Sequence, residues 1–230
     1  MGQRTLEDPL EAAREALDRH AWQDAYDRFR EADAQSTLSP KDLEDYGQAA
    51  WWHGSIRDVI SARERAYRAY LDEGNEIRAA FVALVLVRDH WNRLEPSIAT
   101  GWLRRAERLL EGKPESVEHG YLWLTQAQVA QMDGDIDRAV ELAGRAVDLG
   151  ARFGDPDLQA RALTNQGLAM VARGDAKEGM ALVDEATVAA VSGELSPIAT
   201  GIVYCNTIGA CSEVADYRRA GEWTEAAQRW

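Results

Sequence analysis

Residues 132–146 read MDGDIDRAVELAGRA, and this stretch places two alanines, Ala139 and Ala146, seven positions apart. Four other segments carry a small or branched residue followed by alanine at the same offset: Ala25 and Ala32, Val59 and Ala66, Ala99 and Ala106, and Gly179 and Ala186. Two small residues two helical turns apart let a helix lie close against its neighbours, as stacked helical hairpins require. The recurrence therefore predicts a helical repeat.

The first residue of each pair is an anchor that measures the length of the repeat. With Ala226 as the anchor of a sixth unit, successive anchors are 34, 40, 40, 40 and 47 residues apart. A small or apolar residue also recurs twelve positions before each anchor, at Ala13, Gly47, Val87, Ala127, Gly167 and Val214. Each unit is therefore expected to consist of two helices, the second of which carries the anchor.

Prolines mark the beginnings of the predicted helices. Pro40 in SPKD (39–42) and Pro156 in DPDL (155–158) each follow a residue whose side-chain oxygen can cap a helix. The other prolines also stand near predicted helix starts, at Pro9, Pro96, Pro114 and Pro197. Alternating strand patterns bounded by hairpin turns are absent from the sequence.

These signals predict six helix pairs. Their ranges are 8–20 with 22–34, 40–53 with 55–73, 76–93 with 95–111, 115–132 with 135–153, 156–173 with 175–192, and 197–219 with a stub from 222. The predicted fold class is all-α: a right-handed superhelical solenoid of stacked antiparallel helix pairs, with about five and a half repeats. No linker divides the array, so we expect a single domain over residues 1–230, truncated in its last repeat.

Composition limits the classes of function. The chain has 39 acidic and 26 basic residues, and its net charge of −13 repels the phosphate backbone of nucleic acids. We therefore expect no direct binding of DNA or RNA. No apolar run approaches the ~18 residues of a membrane span, and no basic, apolar-cored leader opens the sequence. A soluble cytoplasmic protein with no membrane segment is expected.

The three aspartates Asp133, Asp135 and Asp137 resemble the opening of a calcium-binding loop. Such a loop needs glycine at its sixth position and glutamate at its twelfth, but Arg138 and Gly144 stand there. A turn and a helix cap explain the stretch better, so no metal site is predicted.

Signatures of catalysis are equally sparse. The chain has no phosphate-binding glycine loop, no HExxH and no GxSxG motif, so we expect neither an enzyme nor a cofactor. Four histidines lie near predicted helix ends without the spacing of metal ligands, at His20, His53, His90 and His119. Cys205 and Cys211 fall about 120° apart on one helix and are expected to be small buried side chains.

The pattern resembles the tetratricopeptide repeat family, whose units are helix, turn, helix with small residues at fixed positions. The resemblance covers nearly the whole chain and is good at the alanine positions and at Trp123, Gly47, Gly167 and Tyr217. Most units span 40 residues rather than 34, and several first helices lack the usual aromatic. An extended variant of the repeat is implied, and His90 would be buried between paired helices.

A narrower resemblance is carried by the segments WWHGSIRDVISARERAYRAY (51–70), GWLRRAERLLEG (101–112) and GIVYCNTIGACSEVADYRRAGEWTEAAQRW (201–230). These look like the repeat-bearing portion of large bacterial LuxR-type transcriptional regulators. In such proteins the DNA-binding helix-turn-helix lies far downstream of the repeats, and nothing like it is present in this sequence. The resemblance implies a sensory or interaction portion of a regulator.

The resembled repeat lines its inner groove with first-helix residues three or four positions apart. The corresponding residues here are Trp51, Trp52, Arg88, Trp91, Tyr121, Gln128, Gln131, Arg161 and Thr164. Aromatic rings beside arginines and amides make a plausible surface for a peptide or a small effector. The alternative is that the large aromatics fill gaps between stacked helices.

The function predicted from sequence is a noncatalytic interaction and signal-input scaffold with a protein or peptide partner, as part of a LuxR-type regulator. The alternative is a stand-alone adaptor that scaffolds protein partners, and an enzyme with an unrecognised groove site is a more distant one. A homo-oligomer formed through the C-terminal end is a further expectation. There Ala210, Val214 and Tyr217 would be partly exposed or covered by a second copy.

Overall fold

The computed structural model describes residues 8–230, which form helices joined by short turns. The described helices are α1 Pro9–Asp18, α2 Trp22–Gln35, α3 Pro40–His53, α4 Ile56–Asp72, α5 Glu76–Asn92, α6 Pro96–Leu110, α7 Val117–Met132, α8 Ile136–Phe153, α9 Pro156–Arg173, α10 Ala176–Val191, α11 Pro197–Glu213 and α12 Tyr217–Arg229. The predicted all-α fold of stacked antiparallel helix pairs is confirmed. None of these helices is long and apolar enough to cross a membrane.

Nine of the eleven connections between the described helices are built in one way. Each contains one residue in the left-handed region, with φ between 57° and 107°: His20, Gly54, Gly74, Leu94, Gly134, Gly154, Gly174, Gly193 or Ala215. The N–H of the next residue donates to the carbonyl five positions earlier, at 2.8–3.2 Å. This is the Schellman type of helix ending, which pairs a carbonyl that the helix itself leaves unpaired.

The helices form two compact units. The first ends at Gly112 and contains α1 to α6, and the second, Lys113–Trp230, contains α7 to α12. The boundary falls in the connection between α6 and α7, one of the two that lack the recurring turn. A single continuous domain over residues 1–230 stays a prediction.

Small residues at the repeat positions bring the helices close together. All ten members of the five predicted pairs, from Ala25 and Ala32 to Gly179 and Ala186, are buried. The backbones of α9 and α10 approach closely, since a Cβ on Gly167 would lie 2.5 Å from the carbonyl oxygen of Gly179. A larger side chain there would push the two backbones apart, which is why the repeat needs its small residues.

Five of the described helices, α1, α3, α6, α9 and α11, begin at a proline that the sequence analysis placed near a helix start. Ser39 and Asp155 accept hydrogen bonds from the backbone N–H groups of Asp42 and Leu158 at 3.2 and 2.8 Å, and Ser196 caps α11 in the same way. These bonds satisfy amide groups that have no partner inside the helix. They also fix where α3, α9 and α11 begin.

The last helix pair differs from its predicted boundaries. The helix expected over 197–219 ends at Glu213, and α12 begins at Tyr217. Ala215 supplies the left-handed residue with φ 58°, and Asp216 caps α12 by accepting from the N–H of Arg219 at 3.1 Å. Alanine rarely takes this conformation, and no glycine stands here to mark the turn, so the sequence gives no local signal that the helix ends.

This turn also moves the anchor of the sixth pair. Ala226 is not the anchor: Ala220 is buried at the matching position, and Ala227, seven residues later, packs against the core. The spacing from Gly179 is therefore 41 residues rather than 47. Ala210 is fully buried rather than partly exposed, whereas Val214 is half-buried and Tyr217 is 71% exposed.

A buried ion pair lies inside the first unit. Arg63 on α4 and Asp89 on α5 form a salt bridge, and their side chains are 6% and 2% exposed. The guanidinium of Arg63 also donates to the carbonyl of Gly47 at 3.5 Å. Removal of one partner from such a pair leaves a charge buried without compensation.

We predict that Asp89→Ala lowers the free energy of unfolding by about 3 to 5 kcal/mol, because Arg63 would remain buried and unpaired. The control is Glu222→Ala, which breaks an exposed pair with Arg218 and should cost less than about 1 kcal/mol. Urea denaturation followed by circular dichroism measures both changes. Equal losses in the two variants would contradict a structural role for the buried pair.

Candidate interaction face

Ion pairs connect the first helices of the first unit. Arg14 on α1 donates to both carboxylate oxygens of Asp42 on α3, at 2.7 and 2.8 Å. Arg78 on α5 donates to Glu44 on α3 in the same bidentate way, at 2.9 and 2.7 Å. Burial raises the pKa of Asp42, but the hydrogen bonds from Arg14 and Ser39 outweigh it and hold that pKa below its usual value. Bidentate pairs of this kind fix the relative positions of α1, α3 and α5.

Trp51 and Arg88 lie together, as the groove prediction requires. The guanidinium of Arg88 on α5 lies 5.1 Å from the ring centre of Trp51 on α3, and both side chains are half-buried. Arg63 approaches the same ring at 5.8 Å. Arg88 also reaches Asp89, Nη2 to Oδ1, at 3.3 Å. The indole ring is thus held between two cations and keeps part of its surface accessible.

Trp52 lies in a different environment from Trp51. Its ring stacks on Trp22 at 5.2 Å, and Trp22 stacks on His20 at 4.9 Å. Consecutive helical residues point about 100° apart, so Trp52 packs toward α2 while Trp51 contacts an arginine of α5. Trp91 is half-buried one turn after Arg88. The structure therefore brings Trp51 and Arg88 together and directs Trp52 into a stack between helices.

The second unit repeats the arginine–aromatic arrangement. The guanidinium of Arg161 on α9 lies 5.5 Å from the ring centre of Tyr121 on α7. The hydroxyl of Tyr121 donates to the two carboxylate oxygens of Asp155 at 3.2 and 3.3 Å. Burial raises the pKa of Tyr121, against the opposing effect of Arg161. The phenol therefore stays neutral and serves as a fixed support for the arginine.

The remaining predicted residues of this unit differ in exposure. Gln128 and Gln131 are half-buried on α7. Thr164 is fully buried, and its hydroxyl accepts a hydrogen bond from Asn206 on α11 at 3.0 Å. Helix α11 covers the side chain of Thr164, so Thr164 is not accessible to a partner, and Asn206 is the polar residue of α11 that contacts it. Asn206 was absent from the sequence prediction, which named no groove residue on the sixth helix pair.

We use the name arginine–aromatic pairs for Trp51 with Arg88 and Tyr121 with Arg161. In each unit an aromatic ring on one first helix supports an arginine from the next first helix along the chain. Within the described residues no carboxylate forms an ion pair with Arg161. A stacked guanidinium keeps hydrogen-bond donors at its edge, and these can meet a carboxylate or a carbonyl of a ligand.

Two of the three aspartates in the stretch 132–146, Asp135 and Asp137, have separate structural partners. Asp135 accepts from the backbone N–H of Arg138 at 3.3 Å and caps α8. Asp137 pairs with Arg173 at 3.3 Å. Within residues 8–230 no group of three or more histidine, cysteine, aspartate or glutamate side chains is arranged to hold a metal ion. The stretch forms the recurring turn, and the absence of calcium binding stays a prediction.

Histidine and cysteine positions also bear on the sequence prediction. His90 is 5% exposed, as the resemblance implied, and its Nδ1 lies 2.7 Å from Glu95. Hydrogen bonds from Arg93 and then from His90 lower the pKa of Glu95 to about 2. Cys211 is buried as expected, but Cys205 is exposed. The prediction that Cys205 is buried was wrong, because no helix among residues 8–230 covers its side of α11.

Comparisons with known proteins were made on this geometry. No protein-family model matches the chain, and no curated protein matches it. Among solved structures, BtubC from P. vanneervenii is 14% identical, with a TM-score of 0.55 over 99% of this chain and 91% of that one. The TPR-like repeats of a putative kinesin light chain from Podosopora anserina are 16% identical, with a TM-score of 0.52 over 82% and 96%.

A third similar structure is a signal transduction ATPase with a tetratricopeptide repeat sensor from Pyrococcus horikoshii. It is 14% identical, with a TM-score of 0.59 over 97% of this chain and 35% of that one. The fold is that of the tetratricopeptide-like repeats. At these identities the similarity establishes the fold of the chain and leaves its partners to be argued from its own residues.

We predict that Trp51→Ala costs less than half of the roughly 3 to 5 kcal/mol lost when a fully buried tryptophan is removed, because part of its ring is already exposed. The matched control is Trp102→Ala in the same unit, since Trp102 is 9% exposed and packs edge-on against Tyr67 at 4.9 Å. Thermal and urea unfolding of both variants supply the comparison. If Trp51→Ala destabilises as much as the control, Trp51 is a core residue.

Proposed function

We propose that this chain is a noncatalytic interaction scaffold that binds an extended peptide segment of a protein partner. The observation that supports it is the arginine–aromatic pair, which occurs once in each unit at first-helix positions. Tryptophan, tyrosine and arginine are the residues that most often dominate binding energy at interfaces. A small effector is the other occupant that these groups would suit.

The chemistry of the pairs indicates which peptides would bind. The half-buried ring of Trp51 offers apolar contact, whereas Tyr121 is 9% exposed and serves to support Arg161. The guanidinium of each pair offers hydrogen-bond donors in one plane. A segment that presents a carboxylate or a free carbonyl next to an apolar side chain fits both groups. Arg161 is the better candidate for a carboxylate, because Arg88 already contacts Asp89 at 3.3 Å.

The wider setting that we propose is the signal-input portion of a LuxR-type transcriptional regulator. The sequence segments that resemble such regulators support it, and so does a fold that the Pyrococcus horikoshii ATPase uses as a sensor. The alternative is a stand-alone adaptor that scaffolds proteins. A reading frame that continues past Trp230 into a helix-turn-helix would support the regulator, and a frame without any DNA-binding module would contradict it.

To test peptide binding, a random-peptide display library is selected on the immobilised chain, and the recovered peptides are titrated by calorimetry. We expect Arg161→Ala or Arg88→Ala to weaken binding at least about tenfold, as loss of an interface arginine commonly does. Circular dichroism of each variant confirms that the helices are retained. The affinities of the variants show whether the arginine–aromatic pairs contribute to peptide binding.

The matched control is Arg138→Ala, which removes an exposed arginine from the second helix α8 that contacts no aromatic ring among the described residues. It should leave the affinity unchanged. Peptides that bind all three variants equally would exclude the arginine–aromatic pairs as the site. Failure to recover any peptide that competes for these residues would argue against the scaffold itself.

A further inference from the structure

A pocket of about 200 Å³ lies between α9 and α10 in the second unit. It is partly open to solvent and far larger than the ~10–15 Å³ that a single water needs. Its buried lining is apolar and includes Ala160, Leu163 and Ala186. Glu185 and Glu194 are its charged residues, and among the described residues that line it none is basic. The pocket therefore combines an apolar interior with negative charge.

The preceding helix pair carries an indole ring and a guanidinium at the matching positions. The pairs α7–α8 and α9–α10 correspond at an offset of 40 residues, which is the spacing of their anchors. Trp123 on α7 thus corresponds to Leu163 on α9, and Arg145 on α8 corresponds to Glu185 on α10. The guanidinium of Arg145 lies 3.9 Å from the ring centre of Trp123. Because Leu163 and Glu185 both line the pocket, the space that a ring and a cation fill in one pair is open in the next.

Arginine occupies the position of Glu185 in three consecutive second helices. On α4, α6 and α8 it stands six residues after the anchor, at Arg65, Arg105 and Arg145. Arg65 donates to both carboxylate oxygens of Asp33 on α2, at 2.7 and 2.6 Å. Arg105 lies 4.9 Å from the ring centre of Trp102. In each of these pairs the chain itself supplies the cation and its partner.

Glu185 differs from these arginines in charge and in having no partner. Within residues 8–230 its carboxylate accepts no hydrogen bond and forms no ion pair. Glu31 on α2 also stands six residues after its anchor, but it accepts from Gln35 at 3.2 Å. The other carboxylate of the pocket, Glu194, accepts only from the hydroxyl of Ser192, at 2.6 Å, among the residues described. The pocket therefore lacks a positive charge that its chemistry would accommodate.

Two exposed valines lie on α10 at the pocket. Val188 lines it and is 66% exposed, and Val191, one turn later on the same face, is 61% exposed. Because β-branched residues are weaker helix formers than unbranched ones, helix formation does not explain valines at exposed helical positions. They suit a partner that brings an apolar side chain together with its cation.

We propose that the pocket between α9 and α10 binds an arginine side chain of a partner protein. The methylene groups would pack on Leu163, and the guanidinium would meet Glu185 through paired donors. Arginine fits better than lysine, because its planar fork matches a carboxylate and its charge is less strongly hydrated. The net charge of −13 also attracts basic segments. This site does not depend on the proposed peptide binding, because it involves neither Arg88 nor Arg161.

The first test titrates the peptide acetyl-Gly-Leu-Arg-Leu-Gly-amide into the full chain, followed by NMR of the backbone amides. The peptide has no carboxylate, so it does not suit the arginine–aromatic pairs. We expect saturable binding with the largest shifts in 156–163 and 185–189. A peptide with lysine in place of arginine should bind at least about threefold more weakly, and one with citrulline, the neutral isostere, about tenfold more weakly.

The second test uses variants of the chain with the same peptide. Glu185→Gln should weaken binding about fivefold, because a neutral amide forms no ion pair with the guanidinium. The matched control is Glu178→Gln, which removes an exposed glutamate of the same helix outside the pocket and should bind like the wild type. Glu185→Arg supplies the cation from within, as Arg145 does, and should reduce binding below detection. Circular dichroism should show the same helix content in all three variants.

Any of five results would overturn the proposal. Two concern the wild type, which would show no saturable binding or would bind the lysine or citrulline peptide as tightly as the arginine peptide. The other three concern the variants. They are unchanged affinity in Glu185→Gln, an equal loss in Glu178→Gln, and retained affinity in Glu185→Arg.

Discussion

In nine connections a backbone N–H donates to the carbonyl five positions earlier, and this hydrogen bond is the constraint on which the rest of the structure depends. It requires one residue in the left-handed region, and it ends each helix at a defined carbonyl. The same turn connects the two helices of a pair and also successive pairs. Since the helices between these turns are of similar length, successive turns lie close to 20 residues apart, as at Gly134, Gly154 and Gly174. The 40-residue spacing of the anchors is twice this interval.

Arginine has two roles in this acidic chain. Arg14, Arg63 and Arg78 are paired with carboxylates of neighbouring helices and hold those helices together. Arg161 lies over an aromatic ring and forms no ion pair among residues 8–230, and Arg88 combines a ring contact with a pair to Asp89 at 3.3 Å. Carboxylates of neighbouring helices occupy donors of the first group, whereas Arg161 has no such partner within the described residues. A distinction of this kind separates a structural cation from one that can recognise a ligand.

Local signals were enough to predict most of the fold. The seven-residue spacing of small residues located the second helices, and prolines and capping residues located the beginnings of α3, α9 and α11. The turn at Ala215 was missed because it uses alanine where most others use glycine, and conformation there is decided by packing of α12 on α10 and α11. That one error moved the last anchor from Ala220 to Ala226.

The geometry of the candidate site could be predicted only in part. Trp51 and Arg88 were named because the resembled repeat lines its groove from first helices, but the resemblance could not show that the ring of Trp52 stacks on Trp22. Such a contact joins residues 30 positions apart and depends on the packing of α2 and α3. Asp89 did carry a usable signal, since it lies two residues after the apolar run FVALVLV (81–87) and a buried carboxylate there needs a cation.

The turn has a consequence for how such a chain can change in length over evolution. One residue inserted within a helix would rotate every later side chain of that helix by about 100° and carry its small residues away from their neighbours. A whole helix pair that has the recurring turn at both ends, such as α9 with α10, can be duplicated or deleted without this penalty. Single-residue length changes should instead collect in the connections 36–39 and 111–116, which lack it.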